Sequence, residues 1–178
     1  LNGARNTGVR LSRGRYIAFL DDDDQYLVNH LSVLANYLKE KGYPIAAVRT
    51  GMYIQVTEKQ WTKPPLLQVK HQHPVRALWE TPVNLLSFVF HRDIFHRYTF
   101  AEDFILAEDF HFLIRVFLTF PFHQLDTYTV YYYTHEDRRS NRYYQPEQLA
   151  NKIAALRTSW EQNKQELQAY IPAAGLEQ

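Results

Sequence analysis

An α/β architecture is predicted by three features of the sequence. Residues 16–20 (Tyr-Ile-Ala-Phe-Leu) form an apolar run with the length and the β-branched and aromatic content of a buried strand. Leu31, Val33, Leu34, Tyr37 and Leu38 then recur at the three-and-four spacing of an amphipathic helix, and a second apolar run extends over residues 45–56. Strand, helix and strand in that order make the unit from which α/β domains are assembled, and 178 residues suffice for one such domain with its own core.

The remaining elements follow in order. Residues 2–12 carry sparse apolar positions (Ala4, Val9, Leu11), Arg5, Arg10, Arg13 and Arg15 make the opening of the chain basic, and together they predict a short helix stopped near Gly14 with cations in its last turn. The helix beginning near Asn29 closes at Lys39-Glu40-Lys41-Gly42. Residues 57–74, with Pro64-Pro65, read as a loop or hairpin excursion. A second buried strand is expected over 84–90, with a short helix or turn over 92–97 behind it. Residues 108–120 are apolar nearly all round, which suits a buried helix; Asp109 and Arg115 are its polar exceptions, and Arg115 is expected to pair with Asp109 or Glu108. Two short strands, 122–125 and 128–133, are expected around a turn at Asp126. A long amphipathic helix over 146–170 closes the single domain, and the tail 171–178 frays.

Composition narrows the function classes. A net charge of +1 supplies no field for nucleic acid. The lack of cysteine excludes disulfides and thiolate metal sites, and fits a reducing, cytoplasmic compartment. No apolar run reaches the ~20 residues of a membrane span. The chain opens on Leu1 in what reads as the middle of a helix, so further sequence is expected upstream.

Four consecutive carboxylates, Asp21 to Asp24, follow the first strand directly. Adjacent carboxylates repel, and are tolerated where they face water or share a cation. A solvated turn capping the next helix is one reading; a site for a hard divalent ion such as Mg2+ or Mn2+ is the other. Glu108-Asp109 and His135-Glu136-Asp137 also lie at element boundaries, where side chains converge beside the carboxyl ends of sheet strands. Such a set fits metal-assisted transfer, in which a cation neutralises a diphosphate leaving group and a carboxylate takes the proton of an attacking hydroxyl. His71 and His73 alternate as on one strand face but have no third ligand nearby. Trp61 and Trp79 flank the irregular middle region, where an acceptor could be gripped or a lid packed.

Ala4-Arg5-Asn6-Thr7-Gly8-Val9 followed by Gly14-Arg15-Tyr16-Ile17-Ala18-Phe19-Leu20-Asp21-Asp22-Asp23-Asp24 resembles a signature of family 2 glycosyltransferases of the GT-A fold. The later segments Phe100-Ala101-Glu102-Asp103-Phe104, Glu108-Asp109-Phe110 with Arg115, and Tyr131-Tyr132-Tyr133-Thr134-His135 are similar to that family's distal motifs, in the same order. The resemblance implies a Rossmann-like mixed sheet flanked by helices, N-terminally incomplete, as the C-terminal two-thirds of a GT-A domain. It implies a metal-dependent, inverting hexosyltransferase using a nucleotide-diphosphate sugar, UDP-sugar by the family's habit. The acceptor would be a glycan or lipid-linked hydroxyl, in cell-surface polysaccharide synthesis at the inner face of the membrane. Asp21-Asp22-Asp23 would be the DxD motif. Asp23 would bind the metal, Asp21 the ribose or a metal-bound water, and His135 the metal or the diphosphate. Arg5 and Asp22 would belong to the donor site, and Asp109 would be the general base. Each has a plainer alternative: Asp109 as a helix N-terminal carboxylate, His135 as a surface histidine, Arg5 as one of several exposed arginines.

The chain departs from the family in lacking the first strand, its turn and the acidic second strand that hold the nucleoside. Exposed edges left by missing strands would favour association, as in a homo-oligomer. A nucleotidyltransferase, or a non-catalytic relative that only binds a glycan or partner, are the competing readings.

Overall fold

The computed structural model describes residues 2–67, 75, 78, 83–102, 108–133, 157, 161, 164 and 165. Helix α1 (Asn2–Leu11) leads into strands β1 (Tyr16–Ala18) and β2 (Gln25–Tyr26), helix α2 (His30–Glu40) and strands β3 (Ala47–Thr57) and β4 (Gln60–Thr62). A 3-10 turn (Leu85–Ser87), strand β5 (Phe88–His91), helices α3 (Asp93–Arg97) and α4 (Glu108–Thr119) and strand β6 (Phe122–Tyr132) complete the described elements. The six strands form one sheet in the order β1-β5-β3-β6-β2, with β4 paired to β3.

The strand, helix and strand read from the sequence are β1, α2 and β3. Both strands run antiparallel to β5, which lies between them, so they are parallel to each other. The β3–β6 pair is also parallel, which makes the sheet mixed. Alternation along the strands sends successive side chains to opposite faces. Val48 and Val89 meet Leu34 and Leu38 of α2 on one side, while Ala47, Phe88 and Phe90 pack with Phe112, Leu113, Val116 and Phe117 of α4. The nearly all-round apolar character of residues 108–120 is thereby explained. The α4 helix is enclosed by the sheet and by Phe95 and Phe100, whose rings stack on Phe112 at 5.5 and 4.4 Å.

Two expected elements differ. Only residues 88–90 of the predicted strand 84–90 are extended, in β5, which continues to His91. Asn84 accepts a hydrogen bond on its side chain from Leu86 N (3.0 Å), and Ser87 Oγ donates back to Asn84 O (2.8 Å), so local polar bonds wind the first half into a 3-10 turn. The two short strands around Asp126 are one continuous strand, β6. Its register against β3 runs Arg49↔Gln124, Gly51↔Tyr128, Met52↔Val130, so the extra residues are absorbed as bulges and no chain reversal occurs. The hairpin expected after residue 57 is present as the β3–β4 pair. Of the predicted closing helix 146–170, positions 157, 161, 164 and 165 are helical and exposed; the rest of it and the tail lie outside the described residues.

A buried polar chain ties α2 to the sheet centre. Thr129 Oγ1 donates to Thr50 Oγ1 (2.8 Å), so the proton shared between Thr129 and His30 Nδ1 (2.7 Å) is carried by the imidazole. Burial holds His30 neutral by lowering its pKa to about 4.

The bulge depends on Gly51. A Cβ there would stand 2.5 Å from Cδ1 of Tyr128, whose hydroxyl is fixed on Pro64 O (2.7 Å) and whose ring lies under Lys63 Nζ (4.2 Å). Gly51→Ala is expected to destabilise the protein by about 1–3 kcal/mol, as overpacking does. Chemical denaturation reads this, and combining it with Tyr128→Ser, which empties the space, should recover most of the loss.

Candidate active site

Helix α1 turns a polar face inward. Asn2, Arg5, Asn6 and Val9 follow one another at helical spacing, and Asn2 and Arg5 are buried whereas Leu11 is 73% exposed. Asn6 pairs with the backbone of Phe100 much as a neighbouring strand would: Nδ2 donates to Phe100 O (2.9 Å), and Phe100 N donates to Oδ1 (3.0 Å). Asn2 Nδ2 adds a bond to Ala101 O (2.6 Å) and Asn6 Nδ2 one to Glu102 Oε1 (2.9 Å). The helix is thus docked on residues 100–102 through amides, and Arg5 is carried into the interior above the Phe100 ring (5.6 Å).

Three carboxylates meet it there. Arg5 Nη1 donates to Asp109 Oδ1 at 2.5 Å and lies 3.4 Å from Glu108 Oε1, while Nη2 is 3.6 Å from Asp21 Oδ1. Glu108 and Asp109 belong to the first turn of α4, and Asp21 to the turn that follows β1. Two acidic segments remote in sequence therefore share the two ends of a single guanidinium. The pairing predicted for Arg115 is not the one found: Arg115 donates to the backbone carbonyls of Thr99 (2.8 Å) and His111 (3.3 Å), and Arg5 takes the carboxylates.

The acidic run folds into a tight turn, with Asp24 N donating to Asp21 O (3.2 Å). Carboxylate oxygens of Asp21, Asp23 and Asp24 all lie within 4.8 Å of one another, whereas Asp22 is exposed and outside this trio. Asp24, which has no definite role in the sequence reading, is also anchored: its Oδ1 accepts from Tyr133 N (3.1 Å) just past the end of β6. A set of hard oxygen donors this close suits Mg2+ or Mn2+. Phe19, wedged against Phe90, Phe95 and Phe100, fixes the strand end that delivers the turn. Tyr26 closes the other side by donating to Phe19 O (2.7 Å); burial, and then the charge of Asp21, push its phenol up to about 12.

Trp61 packs edge-on against Tyr131 (4.7 Å) and Tyr133 (5.0 Å), within the ring array expected of alternating strand residues. His135, Glu136 and Asp137, together with Trp79, His71, His73, Asp103 and Phe104, lie outside the described residues.

Asp109 is pushed up to about 7, chiefly by burial. Arg5 opposes the shift, and the charges of Glu108 and Asp21 add to it. The side chain keeps 27% of its surface in solvent. A raised carboxylate favours folding while protonated, so its contribution is greatest below the unfolded-state pKa near 4 and is lost as pH rises to about 7. Asp109→Asn, a neutral isostere, should accordingly stabilise the fold at pH 8 by at least about 1 kcal/mol and leave it nearly unchanged at pH 4. Paired denaturation curves at the two pH values test this.

The profile described as Glycosyl transferase family 2 matches residues 1–128. A curated relative, the uncharacterized glycosyltransferase EpsJ of Bacillus subtilis (strain 168), is 30% identical over 132 residues, covering 66% of this chain and 37% of its own length. Among solved structures, S. aureus TarS 1–349 in complex with UDP-GlcNAc has a TM-score of 0.62 at 16% identity, over 81% of this chain and 42% of that one. The same TarS segment in complex with UDP gives 0.56 at 17% identity, over 76% and 40%. The chain thus spans well under half the length of these relatives. The structural likeness establishes a GT-A-type fold, and the profile match over most of the residues establishes the lineage: this chain belongs to glycosyltransferase family 2.

Proposed function

We propose that this domain transfers a sugar from a nucleotide-diphosphate donor, a UDP-sugar, to a hydroxyl of a glycan or lipid-linked acceptor, with inversion at the anomeric carbon. The observation that supports this reading is the single guanidinium of Arg5 holding Asp21 and Asp109 at once, so that the acidic turn and the carboxylate at the start of α4 stand together. UDP and UDP-GlcNAc are bound by the TarS structures of the same fold, which supports the donor class. No helix among the described residues is long and apolar enough to cross a membrane. A lipid-linked acceptor would be met at the cytoplasmic face, in synthesis of surface polysaccharide.

Asp23 and Asp21, with Asp24 beside them, would hold Mn2+ or Mg2+, and the exposed Asp22 would serve the donor. His135 is the additional ligand that the family resemblance implies. A bound divalent ion supplies neutralisation of the charge that gathers on the departing diphosphate. Asp109 accepts the proton of the acceptor hydroxyl as that oxygen bonds to the anomeric carbon, and the bond from this carbon to the phosphate oxygen breaks with its electron pair leaving on UDP. A base near 7 is well matched to this work, since it is ionised for a large fraction of the time yet still holds a proton well.

In the full-length protein, Asp109→Asn should lower UDP release from UDP-GlcNAc with Mn2+ present by about 100-fold or more, with UDP affinity by calorimetry changed by less than about threefold. Asp23→Asn, or chelation by EDTA, should remove the Mn2+-dependent part of UDP binding. The wild-type turnover should rise with pH through about 7 as Asp109 loses its proton. Equal loss of binding and turnover in Asp109→Asn, or UDP binding indifferent to Mn2+, overturns the assignment.

A further inference from the structure

We propose that Arg5 is a positioning residue, which holds the Asp109 carboxylate in line with the acidic turn and makes no contact with the donor. The inference rests on the reading of Asp109 as the base. It departs from the nucleotide-binding role that the sequence suggested for Arg5.

Both terminal nitrogens of the guanidinium are committed to carboxylates: Nη1 to Asp109 and Glu108, Nη2 to Asp21. Only 8% of the side chain is exposed, so the group is not a surface cation waiting for a ligand. Its placement is rigid at both ends. Asn2 and Asn6 fasten α1 to residues 100–102, and Phe100, beneath the guanidinium, stacks on Phe112 of α4. Arg5 and the helix that carries Asp109 are therefore referenced to one aromatic stack. An arginine stays protonated under working conditions and cannot itself move the proton, so its effect is steric and electrostatic.

The bond from Arg5 goes to Oδ1 of Asp109. The second oxygen, Oδ2, has no hydrogen bond among the described residues, and is the one left to receive the hydroxyl proton. Pinning one oxygen fixes the direction in which the other is presented, and small errors in such a direction are expensive in rate. The groups facing Asp109 are Arg5 from α1, Asp21 from the turn after β1, and Glu108 from α4 itself; Arg5 is the cation among them. The Arg5 Nε–H is buried without an acceptor among the described residues, and a donor phosphate reaching it is the competing role that the experiment must exclude.

The experiment is a double-mutant cycle on the full-length protein, with Arg5→Met and Arg5→Lys made in the wild-type and Asp109→Asn backgrounds. UDP release from UDP-GlcNAc with Mn2+ gives kcat and KM, and UDP calorimetry gives donor affinity. Arg5→Met should lower kcat about tenfold or more, with KM and UDP affinity within about twofold, and Arg5→Lys should restore part of the loss. In Asp109→Asn the Arg5→Met change should cost less than about twofold, because its effect passes through the carboxylate already removed. The midpoint of the kcat–pH profile should move upward in Arg5→Met, since the cation that favours the ionised base is gone. A tenfold weaker UDP affinity, or an equal penalty in both backgrounds, overturns the proposal and leaves Asp109 as base. Unchanged turnover in Asp109→Asn alone overturns both. If Arg5→Met does not fold, Arg5→Lys is decisive: lower kcat at unchanged KM supports positioning, and a raised KM refutes it.

Discussion

One buried guanidinium shared among three carboxylates from two remote parts of the chain is the constraint on which this structure turns. Arg5 reaches Glu108 and Asp109 across sequence separations of 103 and 104 residues, and reaches Asp21 as well. A charge taken out of water is tolerated only with compensation, and here the compensation is excessive: three carboxylates face one cation. The carboxylates cannot relax by spreading, because α4 and the turn after β1 fix them. Burial first, and then the charges of Glu108 and Asp21 against the opposing pull of Arg5, raise the proton affinity of Asp109. A cluster in this condition is poised to accept positive charge, from a proton on Asp109 or from a cation at Asp21, Asp23 and Asp24. The ordinary requirements of stability would have chosen fewer acids.

Rigidity at the site comes from apolar packing behind it. The rings of Phe90, Phe95, Phe100 and Phe112 contact one another and Phe19, and this cluster meets the end of β1, the segment under α1 and the body of α4 together. Asp21 is thus two residues from Phe19, Asp109 lies one helical turn before Phe112, and Arg5 rests over the Phe100 ring, all in the same aromatic group. Polar side chains that must be held to fractions of an ångström are better fixed by such a shell than by one another, since mutual repulsion would push the carboxylates apart.

Where local pattern and tertiary demand agree, the chain is legible. The strand before Asp21, the amphipathic α2, the enclosed α4 and the two acidic segments are all visible as apolar spacing interrupted by charge. The misreadings have separate physical causes. Residues 84–87 look like strand because Leu85 and Leu86 are apolar, but Asn84 and Ser87 offer the backbone nearer partners. Asp126 looks like a turn because aspartate favours turns, yet a bulge takes an extra polar residue without reversing the chain. Arg115 reads as a partner of Glu108 or Asp109 because they share a helix, whereas the carboxylates lie at the helix start beside Arg5 and Arg115 reaches back to Thr99. The inward polar face of α1 was readable in principle. Asn2, Arg5, Asn6 and Val9 have core spacing with the wrong chemistry for a core, and that combination marks a helix whose buried surface is a site.

The bulged strand β6 belongs to this site as much as to the sheet. Two register shifts beside Gly51 change the phase of β6, so that Thr129 and Val130 are both buried although they are consecutive. Past the shifts, Tyr131 and Val130 pair with Gln25 and Tyr26, and Leu27 N donates to Thr129 O. Tyr133 N then falls opposite Asp24 Oδ1. The exit of the acidic turn is therefore sewn residue by residue to a strand whose phase is set by the bulge, and a one-residue change of register would present Asp24 with a different backbone group. The close approach of Tyr128 to Gly51 is remote in sequence from Asp21 to Asp24, yet it fixes where the third member of the acidic trio stands. The space left at one glycine is in this way converted into the geometry of the acidic trio.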